Sequence, residues 1–277
     1  MRRIFRERNT REPCGGVLRE TVMLELDISN QVATITLQHP TVNALSRAWA
    51  DTFHRLLDTL ERSAEWRILC IRSALKVFSA GGDIKQFAAR LDAPDAGDLL
   101  AEEALYYQTL FDRIERMPQI SVALVQGVAA GGGFEIALAC DLRIVGSKAR
   151  IGLPEVGLGL LPSAGGTQRM TRLIGRGRAL RLIGGAELIP SEEALALGLV
   201  EWVVPDEGFE AAAGAIVRRY VDKPLEALQA AKACIAATAD PAKDGAGLEA
   251  EAPRLLMGTK ETQAKINAFI VESQRKQ

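Results

Sequence analysis

Short apolar segments in the chain predict the strands of a sheet. In residues 22–37, apolar and polar positions alternate, which predicts a two-stranded hairpin with one apolar face and a turn at Ser29-Asn30. Later apolar runs rich in β-branched residues are typical of buried strands. These predicted strands are Ile68–Ile71, Ile120–Val125, Leu142–Val145 and Leu199–Val204.

Between these strands, apolar residues recur at helical spacing. Ser46 is the predicted N-cap of a helix that ends near Ser63, with an apolar stripe from Trp49 to Leu60. Strands separated by helices indicate an α/β core. Further helices are predicted from about residue 99 to Met117, within 169–184, from a cap at Ser191, and through most of the chain after Asp206, with breaks near Lys223-Pro224 and at Gly245–Gly247; residues 150–168 are predicted to be a buried loop.

The stretch from Ile120 to Asp141 combines a strand, a glycine-rich turn and a helix. Gly131–Gly133 precede an apolar helical segment, and three consecutive glycines cost conformational entropy unless a bare backbone is required. A helix that begins there points unpaired N–H groups and the positive end of its dipole at whatever approaches. Glu135 adds a carboxylate in apolar surroundings, which is costly without a partner or a task.

Four interpretations of this stretch can be compared. The glycines and Glu135 weigh against a membrane helix. A dinucleotide-binding motif begun at Gly131 fails because position 136 is Ile136, and a phosphate loop fails because Gly133 and Phe134 replace Lys and Ser/Thr. A buried strand–turn–helix and an oxyanion hole beside an acid/base group both remain open on these residues.

Composition narrows the function classes. The 277 residues are 48% hydrophobic and 25% charged, as in an ordinary globular protein, and the net charge of −1 offers no basic field to nucleic acid. Four cysteines without paired spacing disfavour a disulfide framework or a zinc site and suit a reducing cytosol. Only His39 and His54 are histidines, so acid/base chemistry is expected to fall to carboxylates. Residues 1–21 are arginine-rich without a signal core and are predicted to be a flexible extension.

Five motifs then resemble the crotonase (enoyl-CoA hydratase/isomerase) superfamily, in the family's order, over about residues 22–275. The resemblance implies an α/β fold, a spiral of ββα repeats over residues 22–205, followed by a helical trimerisation region at 206–277. It also implies a trimer or a dimer of trimers. The motifs are Phe78-Ser-Ala-Gly-Gly-Asp-Ile-Lys85, Gly127-x-x-x-Gly-Gly-Gly-Phe-Glu135, Cys140-Asp-Leu-Arg143, Leu153-Pro-Glu-Val-Gly-Leu-Gly159 and Pro162-x-Ala-Gly-Gly-Thr-Gln168.

The resemblance implies chemistry on an acyl-CoA thioester. When water adds at Cβ, the thioester carbonyl gains negative charge, and the implied donors to it are the backbone N–H groups of Gly82 and Gly132. Glu135 and Glu155 would hold one water, with Glu135 helping to activate it and Glu155 exchanging the proton with Cα. Two carboxylates in a small apolar site are expected to titrate as a coupled pair.

The same resemblance assigns the binding residues, and Asp83 is expected to be structural. The residues implied to contact CoA are Ala80, Gly82, Ile84, Lys85, Asn43 and Ala44. Those implied to form the substrate pocket are Ser163, Phe134 and Pro162. Ser163 stands where many hydratases have glycine, and the C-terminal segment 262–269 lacks the family's usual Glu-Gly pair.

The first hypothesis is therefore an enoyl-CoA hydratase of fatty acid metabolism, as in β-oxidation. It would be cytoplasmic and homo-oligomeric and would need no metal and no cofactor besides its CoA thioester substrate. An isomerase, which needs one carboxylate, and a specialised acyl-CoA lyase are the enzymatic alternatives. A non-catalytic RNA-binding homologue is a different class, and the near-neutral charge gives it little support. Neither a nucleic-acid nor a membrane partner is expected.

Overall fold

The computed structural model describes residues 23–275, so the predicted extension at 1–21 lies outside the described residues. Strands and helices alternate along this part of the chain. The strands are β1 (Leu24–Ser29), β2 (Val32–Leu37), β3 (Ile68–Ser73), β4 (Ile120–Val125), β5 (Val128–Ala130), β6 (Leu142–Gly146), β7 (Arg150–Gly152), β8 (Leu188–Pro190) and β9 (Trp202–Val204). The helices are α1 (Arg47–Glu61), α2 (Ile84–Ala88), α3 (Ala96–Arg116), α4 (Gly132–Ala139), α5 (Gly166–Ile174), α6 (Arg176–Gly184), α7 (Ser191–Leu197), α8 (Phe209–Val221), α9 (Leu225–Ala237), α10 (Gly245–Leu256) and α11 (Lys260–Arg275).

Two sheets organise these strands. The larger has the order β1-β2-β3-β4-β6-β9, antiparallel between β1 and β2 and parallel elsewhere. The smaller has the order β5-β7-β8. Consecutive strands β4 and β5 belong to different sheets, and so do β6 and β7. Two strands followed by a helix thus recur along the chain, as β1-β2-α1 and as β4-β5-α4.

The predicted hairpin is confirmed, with its turn one residue later than expected. Leu24 pairs with Leu37, and the turn residues are Asn30 and Gln31, with φ of 48° and 63°. Two left-handed residues in succession match the right-handed twist of a tight hairpin. The predicted apolar face, which includes Ile35, is fully buried in the core.

Helix α1 is confirmed with its cap and its apolar stripe. The Ser46 hydroxyl accepts a hydrogen bond from the backbone N–H of Trp49, as expected of an N-cap. The stripe from Trp49 to Leu60 is buried against β1 and α3. Its helical spacing therefore marks the side of α1 that faces the core. Asp83 is likewise a helix cap, because its carboxylate accepts from the N–H groups of Lys85 and Gln86.

Several local predictions are wrong, each for a local reason. Ser191 is the first residue of α7 rather than its cap, and its hydroxyl donates to the Ser147 carbonyl. The break predicted at Gly245–Gly247 lies just before these glycines, at residues 238–244; the glycines themselves form the first turn of α10, where the Asp244 carboxylate accepts from Gly247 N–H. Residues 150–168 contain β7, a short 3-10 turn and the start of α5, and residues 156–161 are exposed.

The C-terminal helices are tied to the core by two ion pairs. Lys232 of α9 contacts Asp141 at 2.7 Å and also donates to the Gln119 carbonyl. Arg67 makes a two-pronged contact with Glu261 of α11. The division into a core ending at 205 and an oligomerisation region stays a prediction. In residues 23–275, no helix is both long and apolar enough to span a membrane.

A buried arginine joins β6 to the segment before β9. Arg143 is 2% exposed, and its guanidinium donates to the carbonyls of Leu199 and Cys140 and to the Glu201 carboxylate. A buried charge needs such partners to offset its desolvation, and removing one member of the group leaves the others without compensation.

We therefore expect Arg143→Met to lower the free energy of unfolding by about 3 to 5 kcal/mol, because Glu201 and two buried carbonyls lose their donor. Urea unfolding followed by circular dichroism measures this loss. Arg72→Met is the matched control, since the pair of Arg72 with Glu210 is exposed, and we expect it to cost less than about 1 kcal/mol. Equal losses in the two variants would contradict a stabilising role of the Arg143 contacts.

Candidate active site

A cavity of about 430 Å³ opens where several segments meet. They include the glycine turn at residues 80–82, α2, the start of α4, the segment 154–164 and one face of α3. The lining is mainly apolar, and exposed apolar side chains, including Ile84, Leu158 and Leu161, belong to it. A concave, mostly apolar site of this kind suits an apolar group with a few polar atoms.

Two backbone N–H groups at this cavity donate no hydrogen bond to the described part of the protein. They belong to Gly82, in the glycine turn, and to Gly132, the first residue of α4. The two turns touch, because a Cβ added at Gly81 would lie 3.2 Å from the Gly132 nitrogen. The first N–H groups of a helix lack intrahelical acceptors and carry the positive end of its dipole. The pair can therefore receive an oxygen that gains negative charge.

The three consecutive glycines each face a different close neighbour. A Cβ added at Gly131, where φ is +56°, would lie 2.9 Å from a carboxylate oxygen of Glu155. A Cβ added at Gly133 would lie 2.5 Å from the Ser79 carbonyl oxygen. Gly132 lies between them, at the cavity. The bare backbone thus allows α4 to begin directly against the glycine turn and beside Glu155.

Glu135 is buried at the base of the cavity. Its side chain projects from α4, is 3% exposed, and accepts hydrogen bonds at Oε1 from Ala164 N–H (2.9 Å) and Gly166 N–H (2.8 Å). Burial raises the pKa of Glu135 to about 7, and the charge of Glu155 adds to the rise. The two N–H bonds and the charge of Arg169 oppose it. The carboxylate is thus poised to gain or lose a proton near neutral pH.

Glu155 approaches the same backbone from the 3-10 turn at residues 155–158. Its Oε2 is buried and has no hydrogen-bond partner in the described residues. Burial raises the pKa of Glu155, and a bond from its own backbone N–H opposes the rise. Glu155 lies beside Gly131, while Oε2 of Glu135 lies 3.9 Å from the position of a Cβ at Gly132. Both carboxylates therefore flank the backbone that carries one of the free N–H donors.

Arg169 of α5 is a part of the site that sequence reasoning missed. It is 4% exposed, and its Nη1 donates to the Ala164 carbonyl at 3.0 Å. Its remaining donors bind Glu115 at 2.9 Å and Asp112 at 2.7 Å, both on α3. The missed signal is the three-residue spacing of these two acids, which places them on one face of a helix.

The structure places several other predicted residues at the cavity. Ala80, Ile84 and Ser163 line it together with the two glycines and the two glutamates. The backbone carbonyl of Ser163 accepts a hydrogen bond from the Gln108 side chain at 2.6 Å. Ser163 therefore lies at the cavity wall, where a side chain in place of glycine changes the available space.

Other predicted contacts are not found at the cavity. Asn43 is fully buried and instead holds its loop, donating to Ser73 Oγ and to the Phe78 carbonyl, both at 2.8 Å. Ala44 is not in the lining, and its carbonyl contacts the His39 ring. The prediction of a direct contact from the Asn43 side chain is therefore corrected to a structural role, and the contact of Ala44 with CoA stays a prediction.

Two predicted pocket residues are also corrected, and one prediction stays open. Phe134 is fully buried and Pro162 is buried, so both support the wall from behind instead of lining it. Phe134 follows Gly133 in the tightly packed first turn of α4, which directs its ring into the core. Lys85 is exposed and outside the lining, so its contact with a CoA phosphate stays a prediction.

Helices α2 and α3 contribute lining residues that the sequence analysis did not name individually, although the family resemblance implies that the segment 86–105 shapes the acyl pocket. They include Phe87 of α2 and, on α3, Leu100, Glu103 and Tyr107. Spacings of three and four residues put the α3 group on one helical face, which is the signal that could have found them. Glu103 pairs with Arg90 at 3.3 Å, and burial together with Glu103 raises the pKa of Tyr107.

Known proteins resemble this chain in sequence and in fold. The family model described as enoyl-CoA hydratase/isomerase matches residues 27–274. A probable enoyl-CoA hydratase of Bacillus subtilis strain 168 is 41% identical over 184 residues, which cover 66% of this chain and 70% of the relative. A crystal structure of enoyl-CoA hydratase from Bacillus anthracis has a TM-score of 0.83 at 32% identity and covers 90% of this chain and 96% of the other.

One further relative is a much longer protein. A peroxisomal bifunctional enzyme of Danio rerio is 41% identical over 203 residues, which are 72% of this chain. The aligned region is 26% of that enzyme, so the chain spans about a quarter of its length.

The raised pKa of Glu135 has a consequence for stability. Because the folded pKa of about 7 exceeds the ordinary value of 4.5, the folded state holds a proton that the unfolded state releases between these values. The associated stability is present below the unfolded pKa and is lost as pH rises through the folded pKa. Glu135→Gln carries no such proton, so we expect it to be more stable than wild type by at most about 3 kcal/mol at about pH 8 and to lose this advantage toward about pH 4.

Thermal unfolding across this pH range measures the difference between variant and wild type. Glu65→Gln, at an exposed position, serves as the control and is expected to follow wild type at every pH. A difference for Glu135→Gln that does not vary with pH would contradict the raised pKa.

Proposed function

The chain belongs to the enoyl-CoA hydratase/isomerase family, and we propose that it is an enoyl-CoA hydratase that adds water across the 2,3 double bond of a trans-2-enoyl-CoA. Its mixed α/β fold matches crotonase-fold structures. One observation carries the proposal. Two carboxylates at the cavity, the buried Glu135 and the partly buried Glu155, flank the backbone whose Gly132 N–H donates no hydrogen bond within the described residues.

In this proposal the thioester carbonyl oxygen accepts from the N–H groups of Gly82 and Gly132. A bound water adds its oxygen to Cβ and gives a proton to Glu135, while the electrons of the double bond move toward the carbonyl and form an enolate. Glu155 then delivers a proton to Cα. Each donor of an oxyanion hole contributes about 3 to 4 kcal/mol of transition-state stabilisation in comparable sites.

The electrostatics of the pair support one acid and one base near neutral pH. Burial raises the pKa of both carboxyls, so the site favours retaining a proton. Because the charge of one acid raises the pKa of the other, the proton belongs to the pair, and protonation is best assigned to the pair as a whole. In one hydration cycle, the pair gives one proton to Cα and regains one proton from water.

An enoyl-CoA isomerase or a specialised lyase would use the same cavity and the same N–H donors. An isomerase needs one carboxylate, so the presence of both Glu135 and Glu155 at the cavity favours hydration. The proposed chemistry requires only the acyl-CoA substrate and water. We also propose that the protein assembles as a trimer or a hexamer and that it is cytoplasmic.

We expect Glu135→Gln and Glu155→Gln each to lower the hydration rate by about two to four powers of ten, because each variant loses one proton-transfer group. The loss of enone absorbance from crotonyl-CoA measures the rate. Glu65→Gln is the matched control at an exposed position and should retain full activity. If either variant stays near wild type while folded, the role proposed for that residue is wrong.

The same assay separates the enzymatic alternatives. Rapid loss of absorbance with wild type and Glu65→Gln, but not with Glu135→Gln or Glu155→Gln, establishes hydration. If folded wild-type protein does not hydrate crotonyl-CoA or longer 2-enoyl-CoA substrates but converts a 3-enoyl-CoA to its 2-enoyl isomer, the isomerase alternative replaces our proposal.

We also expect a bell-shaped dependence of kcat/KM on pH. The singly protonated pair is the active form, so activity falls as pH rises above about 7, where the pair loses its remaining proton. It falls again at acidic pH, where the second carboxyl becomes protonated. Initial rates with crotonyl-CoA in buffers of constant ionic strength measure the profile. A flat profile between about pH 5 and about pH 9 would contradict control by the pair.

A further inference from the structure

Arg169 lies behind Glu135 and takes no part in the proposed proton transfers. Its guanidinium is buried and uses its donors in two directions. Toward α3 it binds Asp112 and Glu115, and toward the cavity it donates from Nη1 to the Ala164 carbonyl at 3.0 Å. The planar fork of arginine suits this bridging, because its donors have fixed relative directions.

The segment that Arg169 holds is the one that holds Glu135. Ala164 donates its N–H to Glu135 Oε1 at 2.9 Å, and Gly166 donates to the same oxygen at 2.8 Å. Ala164 is therefore bound on its carbonyl side by Arg169 and on its N–H side by Glu135. The orientation of this short segment links the guanidinium to the carboxylate.

The glycine between these two donors is shaped around the guanidinium. Gly165 has a φ of +100°, and a Cβ added there would lie 2.1 Å from Arg169 Nη1. A side chain at this position would displace the guanidinium from the Ala164 carbonyl. At Gly166 an added Cβ would lie 2.8 Å from Glu135 Oε1. The bare backbone thus allows close approach of the arginine on one side and of the carboxylate on the other.

This arrangement determines which carboxylate oxygen is available for chemistry. Oε1 of Glu135 already accepts two N–H bonds, and Oε2 lies toward Gly132 at the cavity. If the Ala164 carbonyl lost its donor, the segment could turn, and the carboxylate would lose the bonds that set its rotation. Small misplacements of a reacting group reduce catalysis steeply.

We propose that Arg169 is a positioning residue, which holds the segment 164–166 so that Glu135 presents Oε2 to the substrate and water. The inference rests on the proposed function, because it assigns to Glu135 a reacting oxygen. The positive charge of Arg169 also opposes the rise in the Glu135 pKa that burial causes. Arg169 thus acts on Glu135 through geometry and through charge, and the two effects can be separated by substitution.

The chain offers a matched control in Arg172. It also belongs to α5 and binds Glu115, at 3.1 Å, but its side chain is 48% exposed. Among the described residues it makes no hydrogen bond to the segment 164–166. Substituting it removes an arginine from the same ion-pair cluster without touching Glu135 or its donors.

The experiment compares Arg169→Met, Arg169→Lys and Arg172→Met with wild type in the crotonyl-CoA assay. For Arg169→Met we expect kcat to fall by about 10- to 100-fold with KM within about threefold, and the alkaline limb of the kcat profile to move to higher pH. Arg169→Lys should keep this limb near wild type, since it retains the charge, yet recover kcat only in part. Arg172→Met should match wild type in all three quantities.

A purely structural role predicts a different result, namely a lower melting temperature with unchanged kcat and pH profile in the folded protein. A kcat for Arg169→Met within twofold of that for Arg172→Met would overturn the proposal. If Arg169→Met does not fold, Arg169→Lys carries the test, because it retains the charge but lacks the planar fork that bridges the Ala164 carbonyl and α3. Full kcat in folded Arg169→Lys would overturn the proposal equally.

A spectroscopic measurement of the Glu135 pKa tests the role of Arg169 independently of the proposed function. Infrared titration of isotope-labelled glutamate, with Glu135→Gln to assign the band, reports the Glu135 pKa without any substrate. We expect a higher pKa in Arg169→Met than in wild type and no shift in Arg172→Met. If wild type fails to hydrate crotonyl-CoA while this shift is present, the proposed function fails and the coupling of Arg169 to Glu135 stands; if the shift is absent, the coupling is wrong.

Discussion

The site depends on keeping two carboxylates in an apolar cavity. Burial raises the pKa of both Glu135 and Glu155, and the charge of Glu155 adds to the rise at Glu135. The fold compensates for this desolvation cost only in part. Glu135 receives two backbone N–H bonds at one oxygen, while Glu155 keeps a buried oxygen without a partner in the described chain. That incomplete compensation leaves both groups able to exchange protons near neutral pH, which is the property the proposed hydration requires.

The remaining architecture follows from bringing this pair to one place. Glu135 comes from α4, Glu155 from the turn after β7, and the segment that binds Glu135 from the start of α5. The small sheet pairs β5, which leads into α4, with β7, which leads to Glu155. A parallel pairing brings the ends of these two strands together, so the acids meet beside Gly131 although twenty positions separate them. Arg169 then braces the third segment against α3.

Sequence patterns predicted much of the architecture. They did so where residues close together in sequence determine the secondary structure. The apolar stripe of α1, the cap at Ser46 and the strand at Ile120–Val125 were predicted with nearly the observed bounds. The short strands β5, β7 and β8 have only three residues each, too few for a period to be recognised. Gly245–Gly247 look like a helix break in sequence, but the Asp244 carboxylate stabilises them as a helical first turn.

By itself the sequence determined the family, the α/β class and the identity of the two acids and the two glycine turns, because these depend on residue type and order along the chain. Tertiary structure alone decided which residues reach the cavity. The family resemblance assigned Asn43 and Phe134 to the binding site, but both are buried away from the cavity. Glu103 and Arg169 were not assigned to the site from sequence, yet Glu103 lines the cavity and Arg169 lies behind it. The physical reason is that the direction of a side chain depends on packing between segments distant in sequence. No local pattern carries that information.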